Sequence, residues 1–204
     1  MQHSAPIIPV VTNHLKLSIE KISNLNRTNF FQTKTPQTMA NNAFISFFDK
    51  ADGESIQKGK EKWIEINSWN WEVQAESSWT KGGGASVGKP NPGKISFDHF
   101  FDSASTVLLG YICTGKAFPK VELQMTKTTG RGTPETYFTM RMEGVFITKV
   151  FNSGNQEGIA MQQVEMVFKI VSIEYKAQDN KTGLLNNVKN FNWDIPAGTA
   201  SPSA

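Results

Sequence analysis

The 204-residue sequence carries a single cysteine, Cys113, so no intramolecular disulfide framework can form, as expected of a protein made in a reducing compartment. Histidine is scarce too: His3 and His14 lie in the first 38 residues, and His99 stands alone beyond them. No pair of Cys or His has zinc-ligand spacing. Covalent catalysis requires a nucleophile, a base and a group that orients the base, and the sequence offers no such set. Scattered carboxylates mark neither a glycosidase nor a protease, so the chain reads as a non-enzyme with no cofactor and no metal site. No apolar run approaches the ~18 residues of a membrane span, so no membrane insertion is expected. The segment Ile7–Val11 contains a proline, is too short for a signal-peptide core and lacks a charged flank. The expectation is a cytoplasmic protein that does not leave by the general secretory route.

Excess charge is also missing where it would matter. Residues 1–38 hold Lys16, Lys21, Arg27 and Lys34 against Glu20, while residues 39–204 hold 17 basic and 17 acidic residues. The basic pI of 8.9 therefore belongs to the N-terminal segment, and the remainder has no overall pull on phosphate, which argues against a nucleic-acid partner. The glycine-rich GGASVGK, residues 83–89, comes close to a phosphate loop, but Pro90 stands where Ser or Thr must bind magnesium, and a strand pattern follows instead of a helix.

What is present is mainly β. Five Trp and fourteen Phe form a large aromatic stock, and strands favour such residues. Residues 1–38 have little to bury beyond Leu15, Ile19 and Ile22 in a short amphipathic stretch, and are expected to be an extension that is disordered or not native, with the domain opening at Met39. AFISFFD, 43–49, reads as a strand followed by an Asp52-Gly53 turn. Residues 63–76 form a strand whose phase slips: Ile64 and Ile66 are apolar at even positions, Trp69, Trp71 and Val73 at odd ones. Side chains on a strand alternate faces, so an irregularity is required at Asn67-Ser68. Residues 81–93 are rich in Gly and Pro and read as a loop. ISFDHFF, 95–101, alternates, with Ile95, Phe97, His99 and Phe101 on one side.

One helix is expected next. Asp102 and Ser103 are N-cap types and Gly115 sits at the C-terminal cap, with Val107, Leu108, Tyr111 and Ile112 as the buried stripe. Cys113 reads as a small buried residue, and His99 as a satisfied, partly buried one. Strands follow at 121–125 and 137–151, the latter with Gly144 as a bulge or close approach. Residues 164–178 read as one long strand that again changes phase, 191–195 as a short last strand, and 197–204 as a flexible tail. Two bent strands point to a small β-barrel or two packed sheets with one flanking helix.

The order of these pieces carries a resemblance: DKADGES at 49–55, Trp69-Asn70-Trp71, GGGASVGK at 82–89, FDHFFDSAST at 97–106, ICTGKAFP at 112–119 and Phe191-Asn192-Trp193. Over residues 40–196 the chain resembles the haemolysin-coregulated protein family, the tube protein of the type VI secretion system. The resemblance implies hexameric rings that stack into a tube, lie inside a sheath, meet a spike protein and are fired from the cell with small effector proteins in the lumen. It implies that Trp69 and Trp71 face the core, while Asn70 faces the lumen and the effector; Ser68 and Glu72 share the Asn70 face. It also implies that the glycine-rich loop, with Gly82, Gly83, Gly84 and Lys89, reaches a neighbouring ring. The family often has a basic residue where this chain has Asp98. The competing expectation is a monomeric β-barrel module that binds nucleic acid or glycan through exposed aromatics.

Overall fold

A computed structural model describes residues 42–80, 84–130 and 132–202. The expectations for residues 1–38, and for Gly82 and Gly83, lie outside the described residues.

Strand β1 (Asn42–Ser46) pairs antiparallel on one edge with β2 (Ile64–Asn70) and on the other with β8 (Phe118–Thr128). β2 pairs with β7 (Ile95–Phe100), and β7 pairs with β10 (Ala160–Val167). β8 and β10 are joined through β9 (Pro134–Gly154), so six strands close in the order β10-β7-β2-β1-β8-β9. Closure leaves no free edge on the barrel. Between β2 and β7 the chain runs out and back through β3 (Val73–Gln74), β4 (Ser77–Thr80), β5 (Gly84–Val87) and β6 (Asn91–Pro92). Strands β11 (Ile170–Gln178), β12 (Leu185–Asp194) and β13 (Thr199–Pro202) extend the sheet outward from β9.

β9 serves both parts because it bends at Gly144. This residue has φ +62, a conformation open to glycine and strained for other residues. Its N-terminal half pairs with β8 and β11, and its C-terminal half with β10. Across the bend, Lys169 donates its N–H to the Glu143 carbonyl at 2.9 Å. This corrects the reading of 164–178 as one slipped strand. The phase change at Phe168-Lys169 is a break between β10, which stays in the barrel, and β11, which leaves it. The tail reading is corrected as well, because Thr199–Pro202 pairs with β12.

The core gathers the inward residues of the barrel, among them Ile45, Ile64, Ile66, Ile95, Phe97, Leu123, Met140, Met142, Val164 and Met166, all buried. Helix α1 (Ser103–Thr114) adds Ala104 and Leu108, with Val107, Tyr111 and Ile112 packed partly buried beside them. Its ends follow the sequence. Asp102 and Ser105 form a reciprocal capping box, and Gly115 takes the left-handed conformation at φ +63. Tyr111 stacks on Phe118 at 3.8 Å between ring centroids. Cys113, however, is exposed: it sits in the last turn, off the Leu108 stripe. Phe101 is also exposed rather than inward, because β7 ends at Phe100 and the alternation ends with it.

The segment from Ala51 to Trp63 folds back over the barrel. Phe44 lies opposite Glu65 and Gln124, on the outer side of β1, yet is fully buried. Lys60 donates to the side chain of Gln124, and its ammonium stands 4.3 Å from the centre of the Trp63 ring. Gly53 allows the return: a Cβ there would lie 2.4 Å from the Trp63 carbonyl oxygen.

Candidate functional site

The slip in β2 is a bulge. Ile66 pairs with His99, but the next partner pair is Ser68 with Asp98, so Asn67 is the extra residue. Before it, Ile64 and Ile66 point into the barrel; after it, Trp69 does, and Ser68 and Asn70 point out. Trp69 stacks on Phe138 at 5.3 Å. Trp71 packs against Phe168 at 5.6 Å and donates its indole N–H to the Gly93 carbonyl at 3.2 Å. Both indoles are partly buried against the core.

Ser68, Asn70 and Glu72 are exposed. The register places further polar residues beside them. Ser68 donates its hydroxyl to Asp98, and Asn70 lies opposite Ser96. Across the next ladder Asp98 faces Gln163, and Ser96 faces Glu165. Glu165 in turn faces Lys149 on β9. Its carboxylate accepts from Lys149 Nζ at 3.0 Å and from Lys94 Nζ at 3.1 Å. These two hydrogen bonds, Lys149 first, hold its pKa below the usual carboxylate value. A polar face thus runs across β2, β7, β10 and β9. Only its first strand was legible in advance, because the other contributors are 24 to 95 residues away along the chain and no local pattern links them.

The glycine-rich stretch is not a loop throughout. Val73-Gln74 pair with Asn91-Pro92, and Ser77–Thr80 pair with Gly84–Val87. The Gly93 and Gly88 N–H groups bond the carbonyls of Glu72 at 2.9 Å and Glu76 at 2.6 Å. The result is a two-stranded ribbon leading from the polar face, with Gly84 opening its return strand and Lys89 exposed at the turn into β6. Backbone pairing needs no side chain, so a Gly-rich composition does not prevent it.

His99 is fully buried. Its Nε2 lies 3.1 Å from Gln162 Oε1, and Gln162 Nε2 donates to the Ser105 carbonyl at 3.3 Å and to Asn152 Oδ1 at 2.9 Å. This network ties the start of α1 to the barrel. His99 Nδ1 has no hydrogen-bond partner and stands 3.8 Å from Asp102 Oδ1. Burial raises the Asp102 pKa, and the attraction of His99 and the capping hydrogen bonds offset this in part. Sealed from solvent, His99 is a structural residue and touches no surface where a substrate could sit. Among the described residues no three His, Cys, Asp or Glu side chains converge as metal ligands. Among the same residues no helix is long and apolar enough to cross a membrane.

Residues 44–175 match the family model described as "Type VI secretion system effector, Hcp". The chain is 30% identical over 107 residues to the major exported protein of Pseudomonas aeruginosa, an alignment spanning 52% of this chain and 60% of that one. It is similar to the crystal structure of Hcp1 from Salmonella typhimurium, with a TM-score of 0.65 and 28% identity over 80% of this chain and all of that one. A type VI secretion system effector from Yersinia pestis matches with a TM-score of 0.58 and 25% identity, over 75% of this chain and 99% of its own. The structure of a type six secretion system protein shares the fold at a TM-score of 0.72 and 24% identity, over 79% of this chain and all of that one.

Proposed function

Because the chain belongs to the Hcp family of type VI secretion systems, a family of structural rather than enzymatic proteins, we propose that it is a subunit of the secretion tube. Six copies close into a ring, rings stack within the sheath behind a spike protein, and the tube is expelled from the cytoplasm with small effector proteins in its lumen. The observation that carries this reading is the family match across 44–175 on a closed barrel whose outer side carries a row of polar residues, from Ser68 and Asn70 to Glu165 and Lys149. In a ring, that face lines a water-filled lumen, where polar side chains remain solvated when no cargo is present.

The ribbon from Glu72 to Gly93 supports contact with the next ring. It leads away from the barrel as two paired strands, Ser77–Thr80 with Gly84–Val87. Light scattering of the purified chain, with negative-stain images of the same peak, tests the reading. A sixfold mass and annular particles are expected. A monomer at every concentration, however high, would remove the tube reading in favour of a monomeric binding module.

A further inference from the structure

We propose that neighbouring copies in the ring meet head to tail, with Phe48 of one copy entering the groove between Ile56, Phe100 and Phe101 of the next. This rests on the ring reading and goes beyond it by naming both surfaces.

The projecting side comes from an abrupt change between adjacent residues. Phe47 is fully buried, its ring 4.6 Å from Phe118. Phe48 then takes φ +51, a left-handed conformation that bulky residues avoid. Its N–H donates to Ser46 Oγ at 3.0 Å, and the residue is 45% exposed. Packing within one copy does not account for a strained backbone that turns an aromatic ring to water; such strain points to a surface with a use. Asp49, Lys50, Pro119 and Lys120 surround it.

The receiving side is a concave apolar patch. Ile56 is 93% exposed and Phe100 56%. With Phe101 they line a cavity of about 460 Å³, walled by Glu54, Ser55, Glu65 and Asp102. The walls are fixed: Glu54 accepts the Ser103 N–H at 3.0 Å, and Ser55 donates to Glu65 at 3.1 Å. A contiguous exposed apolar patch with a polar rim marks an interaction surface.

The two surfaces are separate: Phe101 and Asp102 line the groove beside Glu54 and Ile56, whereas Phe48 stands among Asp49, Lys50, Pro119 and Lys120. Phe48 and Ile56 both stay exposed within one copy, so a second copy is needed to cover them. Contacts between two different patches run head to tail and close a ring when the rotation allows. Charge favours the pairing: the groove is rimmed by Glu54, Glu65 and Asp102, and the knob is flanked by Lys50 and Lys120 against Asp49. Lys120 also reaches Glu143 at 3.7 Å within its own copy. Opposite potentials of this kind orient encounter.

The test uses the full chain carrying Cys113→Ser. Lys50→Cys and Glu54→Cys are placed on separate chains, mixed and oxidised. A disulfide joining one of each is expected, with little product from either variant alone. Ile56→Asp and Phe48→Gly are expected to lose the sixfold mass. Phe48→Gly should also melt at a higher temperature than the monomeric Ile56→Asp, since glycine relieves the strain, whereas a ring needed for internal packing would lower the melt. If wild type forms rings and both variants form them equally well, without the mixed disulfide, this pairing is wrong and the tube reading stands. If wild type forms no rings, both fall together.

Discussion

Asn67 decides the character of β2. As the unpaired residue of the bulge, it shifts the strand by one position, so that Trp69 packs inward and Ser68 and Asn70 face out. The sequence showed the change of phase, and the structure supplies its partner strand. Asp102 is the residue whose chemistry most exceeds its sequence signal. Its carboxylate accepts the Ser105 N–H at 3.2 Å, as a cap residue should. Removing it in Asp102→Ala should cost about 1 kcal/mol of stability by urea denaturation. Its folded pKa is raised by burial above the ordinary 3.8. The folded state thus keeps a proton that the unfolded chain releases, and stability from this group is lost as pH rises through the folded value. Asp102→Asn keeps a good cap without titrating. The stability difference between wild type and Asp102→Asn should therefore shift against wild type as pH rises from 3 to 7. A constant difference would show that Asp102 titrates alike in both states. The capping effect was readable from the cap motif; the pH effect was not, because the burial of Asp102 comes from chain segments packed around it, among them Glu54 and Ser55.

At the scale of elements, α1 was the most legible. Its caps are local chemistry, and its buried stripe is a local period. The strands were harder. Gly144 was recognisable as a special position, but not as the hinge that lets β9 pair with β11 in one half and β10 in the other. A Cβ at Gly144 would stand 3.0 Å from Lys169 Cδ, and φ is +62. Gly144→Ala should therefore cost about 1–2 kcal/mol from backbone strain, read as a lower melting temperature with unchanged β content. Unchanged stability would mean that the bend is not fixed by this residue. The ribbon makes the opposite case. Among the described residues the core holds none from 77–87, so on removal of this stretch the melting temperature should hold within a few degrees while tubes shorten to single rings in negative stain. Full-length tubes from this variant would rule out a stacking role.

At the scale of the whole molecule, barrel closure creates the polar face, since it sets β2, β7, β10 and β9 side by side. Asn70→Trp places bulk there without touching the core. Rings should form as in wild type, and co-purification of a lumen effector should fall at least severalfold. Equal retention would take the lumen assignment away from this face.

The sequence by itself determined what depends on near neighbours: β-rich patterning, the capped helix, the slip at Asn67-Ser68, and the lack of a Cys–His–carboxylate set. It also carried the family order of motifs across 40–196. Tertiary structure alone decided which edges meet. The phase change at Phe168-Lys169 looks like the one at Asn67 in sequence. One is a bulge within a strand and the other a break between two, and only the hydrogen-bond partners distinguish them. The same holds for exposure. Cys113, Phe101 and Phe48 are apolar by type, and whether each is buried depends on what packs against it, which pairing along the whole chain determines.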